Sequence, residues 1–196
     1  MRWGLLLAVL ACAAHAGEWE RVADRDGVVV ERRSVEGASV LEVRATTHSP
    51  LPPAKIMATL WKQDEYREFV PYLKRLDVLQ DDGDKKLIYE QIHVPFVKDR
   101  DVTLRATRTV VPETGEYEVT SIAVPEGPPE SPDYVRVWTS ESHWRLVPNA
   151  GGTAVTYTIR TDPGRLVPAW IVNAVQSRAT AKLVRAMMDR ALRNPP

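Results

Sequence analysis

The last segment of this chain is what most limits its fold. Pro168 opens a helical pattern that runs to about Arg193, and at 1.5 Å per residue such a helix is about 39 Å long. Most of the preceding chain reads as strands, and a sheet of about eight strands spaced about 4.8 Å apart is about 38 Å wide. One helix can therefore lie across the whole sheet. Ile171, Val172, Val175, Ala179, Leu183, Ala186 and Met187 fall within one broad stripe, with Ser177, Ala181 and Arg185 opposite, so the stripe is expected to face the sheet.

The rest of the pattern fits an α+β domain. Trp19 to Ala23, Gly27 to Arg32 and Val40 to Thr47 read as a meander, with Asp26-Gly27 and Glu36-Gly37 as turn signals. Ser49-Pro50-Leu51-Pro52-Pro53 breaks the pattern, and its last proline suits the first position of a helix. Two short helices follow this third strand, Ala54 to Trp61 and Asp64 to Val70, the second stopped at Pro71. From Leu76 a period of two returns, with strands over Lys86 to His93, Val102 to Val111, Tyr117 to Val124, Tyr134 to Leu146 and Ala154 to Thr161. The proline-rich stretch from Pro125 to Pro132 is a stiff, exposed connection.

The N-terminus reads as an export signal. Arg2, the apolar stretch Trp3 to Ala14 and the small-x-small site Ala14-His15-Ala16 predict cleavage after Ala16, leaving residues 17–196 as one domain. The apolar stretch is shorter than the roughly 20 residues of a membrane span. Leu10-Ala11-Cys12 offers a weaker alternative, acylation of Cys12 as a lipid anchor. Cys12 is the sole cysteine, so the processed domain has neither a disulfide nor a thiol nucleophile. The expected location is exported, in the periplasm.

Charge and motif content narrow the function classes. With 26 basic and 26 acidic residues, a near-neutral surface gives no electrostatic reason to expect nucleic acid as a partner. His48, His93 and His143 each stand alone, without Cys, Asp or Glu at ligand spacing, so no metal is expected. Ser140 and Ser142 have the opposite strand parity to His143 and cannot pair with it as nucleophile and base. No phosphate loop or dinucleotide fingerprint is present and no cofactor is expected.

Two motifs resemble a known family. Asp162-Pro163-Gly164-Arg165-Leu166-Val167-Pro168-Ala169-Trp170-Ile171-Val172-Asn173 resembles the turn and first residues of the last helix of START domains, the StAR-related lipid-transfer modules. Tyr89-Glu90, Pro95-Phe96 and Arg100-Asp101 are similar in order and spacing to a strand–loop–strand of the phosphatidylcholine carriers of that family, and Trp144 to Gly152 fits the hairpin before the last strand. Arg165 stands where the family has a second glycine, so the turn there is expected to differ. The resemblance covers roughly Trp19 to Arg193. It implies a helix-grip fold, a curved antiparallel sheet wrapped around the C-terminal helix with a tunnel between them. It also implies a lid containing Pro95, Phe96, Val97 and Arg100. Ala179 and Ala186 fit a tunnel but fit close helix–sheet packing equally well.

Strand parity and the resemblance supply the candidate ligand contacts. Val102, Leu104 and Ala106 alternate with polar residues and are expected to face inward. The resemblance places the aromatic positions that cage choline in phosphatidylcholine carriers at Tyr89, Val102 and Ser140, of which one is aromatic, and the phosphate-binding arginine at Gln63. The carboxylate and arginine of the sterol carriers fall on Leu87 and Ala106. Both known kinds of head-group contact are therefore expected to be missing. Parity with Ser140 adds Arg136 and Trp138, while Glu90, opposite Tyr89, is expected outward. Arg136 either holds an acidic head group or, more plainly, lies at the mouth or pairs with a protein carboxylate. Arg100 and Asp101 are expected to fix the loop as a pair. From the helix come Ile171, Val175 and Ala179.

The expected function is binding, with carriage as its extension, of a lipid or other hydrophobic small molecule, with transient membrane contact. One alternative is an enzyme of the same superfamily, cyclase- or hydrolase-like, for which Tyr89 and Arg136 are the few inward candidates. Another is a domain whose tunnel is filled by side chains and whose surface binds protein partners.

Overall fold

Asp26 and Gly27, with φ of 56° and 75°, form the two-residue turn that a right-twisted hairpin favours. They join β1 (Glu20–Arg25) to β2 (Val28–Arg33), with Arg25 opposite Val28. The computed structural model describes residues 17–95, 97–164 and 167–193, and among these the side chains of Ala169, Trp170 and Ala174 are outside the described set. The expected export signal with Cys12, Phe96 of the expected lid and Arg165 of the turn lie outside the described residues.

After β3 (Glu42–Ser49) come helix α1 (Pro53–Leu60) and a 3-10 helix at Gln63–Glu68, the two short helices expected there. The sheet resumes with β4 (Leu73–Asp81), β5 (Lys85–Ile92), β6 (Arg100–Val111) and β7 (Glu116–Ala123). It ends with β8 (Val135–Arg136), β9 (Thr139–Asn149) and β10 (Gly152–Asp162), and α2 (Ala169–Arg193) closes the chain. These strands form one ten-stranded sheet in the order β1-β2-β3-β10-β9-β7-β6-β5-β4, with the short β8 paired to β6 in parallel. All other neighbours are antiparallel. Register shifts in the edge strands β1 and β4 add local bending. This α+β architecture is the helix-grip fold: an open, curved antiparallel sheet that holds a C-terminal helix.

One expected strand is divided. Between Arg136 and Thr139 the chain leaves the sheet, so Tyr134 to Leu146 is not one alternating run. The phase of side chains before the break does not carry over to those after it.

The helix is fastened across the concave face at both ends. Asn173 Oδ1 accepts the Leu41 backbone N–H at 3.2 Å, Arg185 pairs with Asp26 at 2.9 Å, and Arg190 reaches Glu65 at 2.8 Å and Glu68 at 3.0 Å. Between these points Val184, Met187 and Met188 pack with Ile56, Met57 and Leu60 of α1 over Val30, Ala45, Leu146 and Val155. Each fully buried aliphatic side chain contributes roughly 1.5–3 kcal/mol. This dry core fills one end of the grip. Among the described residues no helix is long and apolar enough to cross a membrane.

Candidate functional site

The other end of the grip is hollow. A cavity of about 230 Å³ lies between α2 and the strands β5, β6, β7, β9 and β10. Its wall is set by register. Glu90 pairs with Val102 and Ile88 with Leu104 across β5 and β6, so these four share the concave face and all border the cavity. Ser140 and Ser142 of β9 and Tyr157 of β10 form the wall opposite, and Gln176, Ala179, Thr180 and Leu183 of α2 form the roof. Trp144 stacks on Tyr157 at 4.3 Å between ring centroids, which stiffens the floor.

The wall is mainly apolar, with a few polar groups. The Ser140 hydroxyl shares a 2.8 Å hydrogen bond with Thr161, and Gln176 Nε2 donates to the Ile159 carbonyl at 3.1 Å. The remaining Gln176 oxygen, and that of buried Gln63, have no partner. Glu90 is the one residue of this wall that bears a charge near neutral pH, and no lysine, arginine or histidine is among the described lining residues. Its side chain is half-buried on the cavity wall. Burial, with no cation to offset it, pushes its carboxyl up to about 7. Burial also raises the Tyr66 and Tyr157 hydroxyls.

Of the expected contacts, Val102, Leu104, Ser140 and Ala179 border the cavity. Ala106 faces the same side but is sealed in the dry core, at 1 % exposure. Tyr89 and Glu90 exchange the places expected of them. Tyr89 pairs with Thr103 on the convex face, so Glu90 takes the inward position. Leu87, opposite Arg105, also lies on the convex side. Trp138 is 55 % exposed while Val137 faces the cavity, because the strand break resets the phase. The helix is rotated relative to the expected stripe. Val172, Gln176, Thr180, Leu183 and Met187 face the sheet, leaving Val175 37 % exposed and Ile171 half-buried at the margin.

Arg136 is not at the cavity at all. Its guanidinium grips Asp101 in a bidentate pair on the convex face, and donates to the Pro128 carbonyl at 3.0 Å. Tyr89 donates to the same carboxylate at 2.9 Å. The partner of Asp101 is thus Arg136, not the neighbouring Arg100. Arg100 is buried and donates to the Lys98 carbonyl, with Nε and Nη2 left without partners. Pro95 and Val97 are half-buried in the β5–β6 loop, whose ends are held by Asp99. Asp99 accepts from His93 at 2.8 Å, Lys74 at 2.7 Å and the Val94 N–H at 3.2 Å. These bonds, Lys74 foremost, lower its carboxyl to about 2.

Sequence reasoning missed Gln176 and Tyr157 and turned Glu90 outward, while Gln63, matched by the resemblance to the phosphate-binding arginine, does border the cavity. In β5 the alternating sets Leu87-Tyr89-Gln91 and Ile88-Glu90-Ile92 each contain two large apolar or aromatic residues and one polar one, so composition could not choose between faces. Among the described residues no group of three or more His, Cys, Asp or Glu is placed to hold a metal ion.

The family model for the START domain matches residues 7–196. The chain belongs to the START domain family. An uncharacterized protein of Pseudomonas aeruginosa is 28 % identical to this START protein over 200 residues, covering 97 % of this chain and 98 % of that one. Among solved structures, a STAR-related lipid transfer protein fragment from Xanthomonas axonopodis superposes with a TM-score of 0.82 at 24 % identity, covering 89 % of this chain and 99 % of that one. Human StAR-related lipid transfer protein 5 superposes with a TM-score of 0.77 at 14 % identity, over 87 % and 85 % of the two chains. The Zhui aromatase/cyclase from Streptomyces is more distant, with a TM-score of 0.57 at 16 % identity and coverage of 78 % and 93 %. At these identities the likeness is one of fold.

Proposed function

We propose that this START protein binds a lipid or other hydrophobic small molecule in the cavity between sheet and C-terminal helix, and carries it after export to the periplasm. The observation that supports this most is the cavity itself, a largely apolar space beside a well-packed core. Removing apolar ligand surface from water there is worth roughly 25 cal/mol per Å². A volume of about 230 Å³ is just below the roughly 300–1,000 Å³ of common small-molecule pockets. It suits a single chain or a compact ring system better than a two-chain phospholipid. Structural neighbours that are STAR-related lipid transfer proteins agree with this reading.

Passage in and out is assigned to the loop over residues 94–99 and the first turns of α2, with transient docking of that end on a membrane. Tyr72 and Val175, both exposed, flank cavity-lining Pro71, Leu73 and Gln176, and Lys182 lies over the Tyr72 ring at 5.4 Å. An apolar rim edged by a cation suits a lipid surface. The site reads as a binding site rather than a catalytic one. The Ser140 hydroxyl is engaged by Thr161, and no histidine is among the described lining residues to activate a serine.

The direct test is mass spectrometry of an organic extract of purified protein. A co-purifying apolar compound in near-stoichiometric amount is the expected result. A clean extract, together with no uptake of fluorescent fatty alcohols or lipids, would overturn the reading.

A further inference from the structure

The cavity has one feature that apolar burial alone does not call for. Glu90 presents a carboxyl to the enclosed space, and no side chain or backbone group of the protein hydrogen-bonds to it among the described residues. An ionised carboxylate in such a place is costly unless a cation neutralises it. No described lining residue supplies one. The buried cations nearby in sequence are not among the described lining residues: Arg136 pairs with Asp101 on the convex face, Lys86 donates to the Trp61 carbonyl and pairs with Asp81, and Arg100 donates to the Lys98 carbonyl.

The other unmet polar capacity at the wall has the same sign. Gln176 donates through Nε2 to the Ile159 carbonyl, which fixes its amide oxygen as the free end, and that oxygen has no partner. The two wall oxygens without a partner, those of Gln63 and Gln176, are both acceptors. A ligand hydroxyl would be served by the neutral groups already present, Ser121, Ser142 and the Tyr157 phenol. A positively charged group gains more from a carboxylate, because it neutralises the charge as well as donating to it. An acidic ligand, by contrast, would place a second negative charge beside Glu90 with no cation between them.

We propose that the cavity selects hydrophobic amines, seated with the ammonium group on the Glu90 carboxylate and the apolar body against Val102, Leu104 and Leu183. This rests on the binding function proposed above and names its ligand class. The ammonium brings three N–H donors for the Glu90 carboxylate and the other unpaired oxygens of the wall. The groups facing Glu90 from the packed elements are Tyr66 of the 3-10 helix and Tyr157 of β10, both neutral in this range; α2 contributes no titratable group to the wall. Ligand-free Glu90 is thus half-protonated near neutrality, and an amine must displace that proton to bind.

The experiment is titration calorimetry with dodecylamine, dodecanol and dodecanoate, which share one apolar body, on the wild-type domain and on Glu90→Gln. The amine is expected to bind at least about tenfold more tightly than the alcohol at pH 8, with the acid weakest. Glu90→Gln is expected to bring the amine down to the alcohol. In the wild type the amine affinity should fall about tenfold from pH 8 to pH 6, following loss of the carboxylate, while the alcohol affinity stays level. That pH arm needs no variant. Equal binding of amine and alcohol, or an amine preference that survives Glu90→Gln, would overturn the amine assignment while leaving the cavity a ligand site. Failure of all three compounds to bind would overturn the binding function as well.

Discussion

Arg136 and Asp101 form a bidentate ion pair with contacts of 3.0 Å and 2.8 Å, and their side chains are 3 % and 1 % exposed. The pair lies on the convex face, under the proline-rich connection whose Pro128 and Pro129 carbonyls also accept from Arg136. Its role is to hold that connection against the sheet, so a residue that sequence parity points at the ligand is instead a fastening on the far side.

Removing one partner leaves the other charge buried and uncompensated, at a cost of about 3–5 kcal/mol. Asp101→Asn is expected to lower the urea midpoint accordingly. The double change Asp101→Leu with Arg136→Met should recover most of that loss, because it removes both charges. Ligand uptake by the folded fraction should be unchanged, since the cavity lies on the other face.

The contrast between these faces shows what could be read from the sequence. Helix length against sheet width, the Asp26-Gly27 turn and the Pro52-Pro53 break are enough for the α+β class, while the helix grip followed from the family resemblance of Tyr89 to Asp101 and Asp162 to Asn173. The concave positions Val102 and Leu104 followed from alternation within one strand, and Ser140 from the resemblance. What alternation cannot supply is the phase between strands. Tyr89 is placed inward only by matching to the family, and β5 alone offers no choice of face; the pairing of Glu90 with Val102 puts Tyr89 on the other side. The Trp138 error arose from an irregular break at Val137. The rotation of α2 is fixed by long-range contacts, Asn173 to Leu41 and Arg190 to Glu65, so the exposure of Val175 has no signature in the helix alone.

Gly152 should tolerate no side chain. Its φ is 144°, and a Cβ there would stand 2.0 Å from the Ser49 carbonyl oxygen and 2.8 Å from Pro50 Cα. Both neighbours are backbone and cannot rotate away. Gly152→Ala is expected to destabilise the domain by at least about 2 kcal/mol, the range of a strained backbone position combined with overpacking. The neighbouring Gly151 has open space around its Cβ position but a φ of 98°, so the same change there should cost about 1–2 kcal/mol from backbone strain alone, less than at Gly152. Thermal melts of the two variants check the ranking.

Ala179 borders the cavity from the helix side. Ala179→Trp should fill the space a ligand would take, so uptake of a fluorescent fatty alcohol is expected to fall more than tenfold while circular dichroism and the unfolding transition persist. The wall there has room, so the overpacking penalty should stay below the usual 1–3 kcal/mol. Leu192→Trp, exposed near the far end of the same helix, is the control and should leave uptake within about twofold. Equal uptake by both variants would count against this cavity as the ligand site.

The ligand-free protein should carry a pH signature of Glu90 that runs opposite to that of Asp99. Asp99 is lowered to about 2 by Lys74, His93 and the Val94 amide. Its stabilising effect is present above its ordinary carboxylate range and is lost as pH falls through 2. Glu90 is raised to about 7, so it takes up protons more readily folded than unfolded. Below about pH 4.3 the group is neutral in both states and costs nothing. As pH rises past that value the unfolded chain ionises first, and stability falls until the folded group ionises near pH 7. The loss levels off above that, at a few kcal/mol at most, and water reaching the cavity would reduce it. Urea unfolding of the wild type should therefore give a lower stability at pH 8 than at pH 5. Glu90→Gln, which has no proton to lose, should flatten that slope and be the more stable protein at pH 8. A wild-type and variant pair with parallel profiles between pH 5 and 8 would show that Glu90 is compensated in the folded state.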